Sequence, residues 1–157
     1  RGIDFFANWG APVRAVADGT VLRADNSFEE ISPEFRKSLL KSASNIKRTP
    51  SDVFEHILLG KTVILDHGLD LIPGFRVITI YAHLSHINEN IKPEVNVSAG
   101  EYFAKTGNTG TEASTYGKKD GAHLHWEMIL QNEDGEFYVG QGLPYEKLYT
   151  LLQALFK

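Results

Sequence analysis

The sequence predicts a mainly β domain, an α+β chain of antiparallel strands with helices at its edges. Three observations predict it. Short runs rich in β-branched residues carry a period-two pattern at residues 61–68, 75–83 and 123–128. Glycine-marked turns punctuate them at Asp18-Gly19, Pro73-Gly74 and Asp134-Gly135. Helix signals are confined to residues 26–60 and to the C-terminal stretch. The 157 residues, 42% hydrophobic and 11% aromatic, suit one domain over 1–157 with a sizeable core.

The first run, Gly2-Ile3-Asp4-Phe5-Phe6-Ala7, sets one acid among apolar residues. A carboxylate there must be paired, hydrogen-bonded or ligated, because desolvating it is expensive. Asn8-Trp9-Gly10 is turn chemistry, and residues 12–16 and 20–23 read as the next short strands. Residues 26–60 break this rhythm. Ser32-Pro33 and Thr49-Pro50 each pair an N-cap residue with a proline suited to the first helical position. The first helix carries Phe35, Leu39 and Leu40 as a partial apolar stripe beside Lys37 and Lys41. In the second, Thr49 and Asp52 form an expected capping box, Val53, Phe54, Ile57 and Leu58 supply the packing face, His56 faces out and Gly60 is the C-cap. This helical pair is an expected insertion in the β domain, serving as packing or as a wall of a cleft.

Residues 61–68 and 75–83 read as antiparallel neighbours, the second placing Val77, Thr79, Tyr81 and His83 on one face. Two glycine-marked turns flank a short strand between Asn96 and Gly110. The second, Gly107-Asn108-Thr109-Gly110, lacks the spacing of a phosphate-binding loop. Residues 111–120 are a polar rim. A turn at 133–136 follows the histidine-bearing strand, and Leu143-Pro144 opens a final helix with Leu148, Leu151, Leu152 and Leu155 on one side.

Chemistry concentrates at Gly121-Ala122-His123-Leu124-His125-Trp126-Glu127. An extended backbone puts His123, His125 and Glu127 on one face and Leu124, Trp126 and Met128 on the other. Two adjacent imidazoles need partners, solvent or a metal. The chain has no cysteine, which excludes disulfides and thiolate ligands, so a metal site must use His, Asp or Glu. The formal net charge of −4 argues against a nonspecific nucleic-acid binder. No apolar run is long enough to span a bilayer, and since the chain begins at Arg1 a preceding region is expected to have been removed.

Several segments in order resemble the lysostaphin-type, or LytM-like, zinc metallopeptidases that cleave peptide cross-links of bacterial peptidoglycan. Arg1-Gly2-Ile3-Asp4 is similar to the end of that family's His-x-x-x-Asp motif, and Gly10-Ala11-Pro12-Val13 with Asp18-Gly19-Thr20-Val21 to the segment after it. Tyr81-Ala82-His83-Leu84-Ser85, residues 97–110 and His123-Leu124-His125-Trp126-Glu127 continue the order. The resemblance implies a barrel-like antiparallel core, Zn2+ as cofactor, Asp4 and His125 as zinc ligands, and His83 and His123 as catalytic histidines. The family's first histidine ligand would stand immediately before Arg1, and Asp4 and His125 alone are expected to hold zinc weakly. The implied substrate is a peptidoglycan peptide, and the implied location is the periplasm, the cell envelope or the outside of the cell.

Such a site explains hydrolysis on chemical grounds. Zinc with an open position polarises a carbonyl and lowers the pKa of water towards about 7. One histidine can take the water's proton while another stabilises the oxyanion or protonates the leaving amine, with the two roles unassigned between His83 and His123. The alternative is a degenerate, zinc-free domain that activates a partner amidase of the cell wall. A lipoyl-type carrier is disfavoured, because no lysine sits at the tip of the Gly107–Gly110 turn.

Overall fold

The computed structural model describes residues 2–156, so Arg1 of the N-terminal motif lies outside the described residues. Ten strands follow one another as β1 (Ile3–Phe6), β2 (Pro12–Arg14), β3 (Gly19–Ala24), β4 (Val63–Asp66), β5 (Arg76–Ala82), β6 (Leu84–Ile87), β7 (Asn96–Val97), β8 (Tyr102–Thr106), β9 (His123–Asn132) and β10 (Gly135–Tyr138). They form a seven-stranded sheet, β1-β9-β5-β4-β3-β7 with β10 also on β9, and a three-stranded sheet, β2-β8-β6. All pairings are antiparallel. The mainly β, antiparallel expectation therefore stands, whereas the barrel-like form does not: the described strands make two open sheets and close no barrel.

Register gives the large sheet two distinct faces. Residues directly opposite in an antiparallel pair share a face. Ile3 lies opposite Trp126, Tyr81 opposite Trp126 and Val63, and Thr79 opposite Met128 and Leu65. This face is apolar and joins Val13, Leu84, Ile87, Phe103 and Ala104 from the small sheet in one core cluster. Tyr81 and Phe103 meet edge to face at 5.0 Å between centroids. Tyr81 keeps its hydroxyl satisfied by accepting from the Val16 N–H at 3.1 Å, and burial pushes its phenol pKa up. The opposite face carries Asp4, paired with His125, and Phe6, paired with His123. β1 and β10 share one edge of β9, β1 along its first half and β10 along its second.

The expected insertion contains α1 (Pro33–Asn45) and α2 (Ser51–Val53), the latter continuing as a π-helical turn over Phe54–Leu58. Ser32 caps α1 as its spacing predicts, accepting from the Phe35 N–H at 3.2 Å with Pro33 at the first helical position. The expected Thr49–Asp52 capping box does not form. Pro50 itself is the cap residue of α2, no side chain caps it, and the Asp52 carboxylate instead accepts from its neighbour Val53. Gly60, with φ +66, follows the helical end at Leu59 and turns the chain back into β4. Only Ala43 of α1 is fully buried, and Phe35 of the expected apolar stripe is 51% exposed.

The rim at 111–120 contains a short helix, α3 (Glu112–Thr115), capped by the Thr111 side chain. Asn108, fully buried, donates from Nδ2 to the carbonyls of Lys118 and Asp120 and so ties this segment down. The sequence shows only polarity here, because the tie runs from a loop residue ten positions away. The last helix, α4 (Tyr145–Leu155), half-buries Leu148, Leu151 and Leu152; the Leu155 side chain lies outside the described residues. Phe156, just beyond it, meets Phe5 and Trp126 edge to face at 5.5 and 5.2 Å.

Candidate metal and proton-transfer site

Asp4, His83, His123 and His125, distant in sequence, converge at one end of the large sheet. Period-two geometry and the β1–β9 register put Asp4 beside His125. Asp4 Oδ1 lies 2.7 Å from His125 Nδ1 and 3.9 Å from His123 Nε2. His83 arrives from the other side, where Ala82 of β5 pairs with His125. The ring centroids of His83 and His123 stand 4.7 Å apart, and those of His83 and His125 5.7 Å apart.

His83 leaves its strand abruptly. Its φ of +58 is left-handed, a conformation that costs a non-glycine residue on the order of 1 kcal/mol. Three contacts hold it there. Its N–H donates to the Leu59 carbonyl at 2.9 Å, the following Leu84 N–H donates to Lys61, and its Nδ1 meets the Thr109 carbonyl at 2.7 Å. A carbonyl only accepts, so Nδ1 carries the proton and Nε2 presents a lone pair. Burial lowers the His83 pKa to about 4, against the opposing pull of the Thr109 bond, and the ring is neutral at pH 7.

His125 stands in the contrary situation. Its Nδ1 meets Asp4 and its Nε2 meets Glu127 Oε1 at 2.9 Å, and both carboxylates accept. Burial alone would lower its pKa, but the hydrogen bonds and charges of Glu127 and Asp4 outweigh burial and raise it. His123 donates from Nδ1 to the Gly121 carbonyl at 2.7 Å, leaving its Nε2 directed towards Asp4.

Two residues belong to this arrangement that sequence reasoning did not place in it. Glu127, 3% exposed, is the outer partner of His125. Its position two residues beyond His125 on the same face was the available signal. Gly2, with φ +85, lies so close that a Cβ there would stand 2.6 Å from the His125 ring and 2.9 Å from Glu127 Cγ. Sequence alone gives no sign of that approach, which depends on the β1–β9 pairing.

The donor chemistry fits two positions of a zinc site. His125 Nδ1 donates to Asp4 Oδ1 at a point a cation can take in place of the proton, and a carboxylate behind the second ring nitrogen is the usual outer support of a ligating histidine. Among the described residues, no group of three or more His, Cys, Asp or Glu converges to hold a metal ion. Beside His123 opens a cleft of about 540 Å³, walled by Thr111, Glu112, Tyr116, Lys118 and Asp120. No described helix is long and apolar enough to cross a membrane.

The sequence profile of Peptidase family M23 matches residues 49–136, a span that includes His83, His123 and His125 and leaves Asp4 outside. Among solved structures, the chain is similar to a zinc-containing peptidase from Vibrio cholerae, with 22% identity and a TM-score of 0.51 over 91% of this chain and 30% of that one. It is similar to lysostaphin in solution, with 21% identity and a TM-score of 0.50 over 87% and 39% of the two chains. LytU shares 26% identity over 82% and 60%, with a TM-score of 0.49. The chain thus spans less than two thirds of each of these structures. None of the curated proteins matches it.

Proposed function

Because this chain belongs to peptidase family M23, we propose that it is a zinc-dependent endopeptidase that hydrolyses peptide cross-links or stem peptides of bacterial peptidoglycan, in the periplasm, the cell envelope or outside the cell. The observation that carries this reading is the convergence of Asp4, His83, His123 and His125 on one sheet end beside an open cleft. Asp4 and His125 would hold the metal. Zinc bound there would polarise the scissile carbonyl and make water a better nucleophile at neutral pH.

The chain's own residues supply the rest. His83 is neutral with its Nε2 lone pair free, so it accepts a proton without first losing one. His123 lines the cleft, its Nδ1 held by the Gly121 carbonyl and its Nε2 3.9 Å from Asp4 Oδ1. Glu127 orients His125 by holding its Nε2–H, leaving Nδ1 for the metal side. The cleft walls from Thr111 to Asp120 offer an extended peptide both acidic and basic groups.

The test uses protein that carries its native residues upstream of Arg1. One zinc per chain and release of soluble fragments from purified peptidoglycan are expected, with both lost in His125→Ala. A protein that loads no zinc under metal-replete conditions and releases no fragments would overturn the reading. The alternative reading is a zinc-free activator of a cell-wall amidase. Stimulation of a purified amidase by that zinc-free protein would support it.

A further inference from the structure

The insertion reaches His83 twice: the Leu59 carbonyl holds its backbone N–H, and a second contact runs to its ring through one peptide unit. The Thr109 carbonyl accepts the Nδ1–H of His83 at 2.7 Å. The N–H of the same amide plane, that of Gly110, donates to Glu30 Oε1 at 2.7 Å. Glu30 lies in the segment leading into α1, about eighty positions from the loop it binds, and the same oxygen accepts from Ser114 Oγ at 2.5 Å. The peptide has no room to tilt. A Cβ on Gly110 would stand 2.5 Å from the Leu58 carbonyl oxygen, and one on Gly60 2.3 Å from the Thr109 carbonyl carbon. Thr109 is fixed further by its hydroxyl, which accepts from the Lys61 N–H and donates to the Leu84 carbonyl, each at 2.9 Å.

We propose that Glu30 is a positioning residue for His83, acting through the Thr109–Gly110 peptide as a carboxylate–amide–imidazole relay. Hydrogen bonds in series polarise one another, and a carboxylate on the amide N–H makes the carbonyl at its other end a stronger acceptor. A stronger acceptor fixes the proton on His83 Nδ1 and leaves the Nε2 lone pair facing the site. The relay does for His83 what Glu127 does directly for His125, and it draws on the inserted segment. Its catalytic consequence rests on the peptidase reading above, but the histidine tautomer can be read without any turnover.

The test compares wild type, Glu30→Ala and Glu30→Gln in the zinc-loaded protein by 15N-resolved imidazole spectra at neutral pH, alongside zinc stoichiometry and peptidoglycan kinetics. In wild type, His83 is expected to show the Nδ1–H tautomer. E30A is expected to narrow the separation of its two ring-nitrogen resonances and to lower kcat about tenfold with KM and zinc content unchanged. E30Q keeps an oxygen acceptor and loses the charge, so it should fall between the two. Unchanged His83 resonances in both variants would overturn the relay. If E30A is too unstable to assay, the isosteric E30Q decides, with a spectrum identical to wild type counting against the proposal. A wild-type protein that cuts no peptidoglycan yet shows the shift in E30A would defeat the peptidase reading and leave the positioning role standing.

Discussion

Asp4 and His125 stand 121 positions apart and are joined by a hydrogen bond from His125 Nδ1 to the Asp4 carboxylate at 2.7 Å, so single residues near them carry large effects. Gly2 is the sharpest case. Alanine there would meet the His125 ring and force a left-handed residue, so G2A should cost about 1–2 kcal/mol in urea unfolding and weaken zinc retention against a chelator. Glu127→Ala would leave His125 without its outer partner and should lower zinc affinity about 10–100-fold by competition titration. His83 fixes the sign of one pH effect. Its folded pKa of about 4 lies below the ordinary 6.5, so the unfolded chain binds the proton more readily. The stability it contributes is complete above pH 6.5 and is lost as pH falls through about 4, a change on the order of 3 kcal/mol. His83→Gln, which has no such titration, should flatten the acid limb of a stability-against-pH curve. The histidine and aspartate positions were legible because their types stand out locally. Glu127 was legible in the period-two face it shares with His125, whereas Gly2 takes its meaning from the β1–β9 pairing, which no local pattern contains.

At the scale of elements, the insertion is more than a packing appendage. Leu59 supplies the carbonyl that holds the His83 N–H, Arg23 Nη2 donates to the Glu55 carbonyl at 2.9 Å, and the end of the π-helical turn at Ile57 and Leu58 abuts Gly110. Replacing residues 26–60 by a short turn should therefore reduce kcat towards every peptide substrate tested. A change in preference alone, with kcat retained, would assign these helices to the cleft wall. Sequence read α1 well because Ser32 and Pro33 signal its start in adjacent positions. It misread the start of α2 by one residue: Thr49 and Pro50 carry the same two-residue signal, yet the helix begins at Ser51 with Pro50 outside it. The chain's return through Gly60 to pack on the 107–110 loop constrains this element more than local capping does.

For the whole molecule, two open sheets share one core, and the chemistry sits on the face turned away from it. Leu65 is fully buried at that shared core, so Leu65→Ala should cost about 2–5 kcal/mol in denaturant unfolding. The measured loss should exceed that of any substitution on exposed α1, for example at Phe35. Alternation along β4, β5 and β9 made the antiparallel sheet legible. The absence of closure was not, since an open and a closed sheet alternate alike, and which strands meet is decided over the full length of the chain.

That long pairing also orders events in time. The four residues of β1 find their partner only when β9 exists, and the loop they close runs 121 positions from Asp4 to His125. During synthesis Asp4 leaves the ribosome 121 residues ahead of His125, so no nascent chain that stops short of β9 brings the two together. A site built this way takes shape only once β9 has been made, and no chain shorter than that carries it.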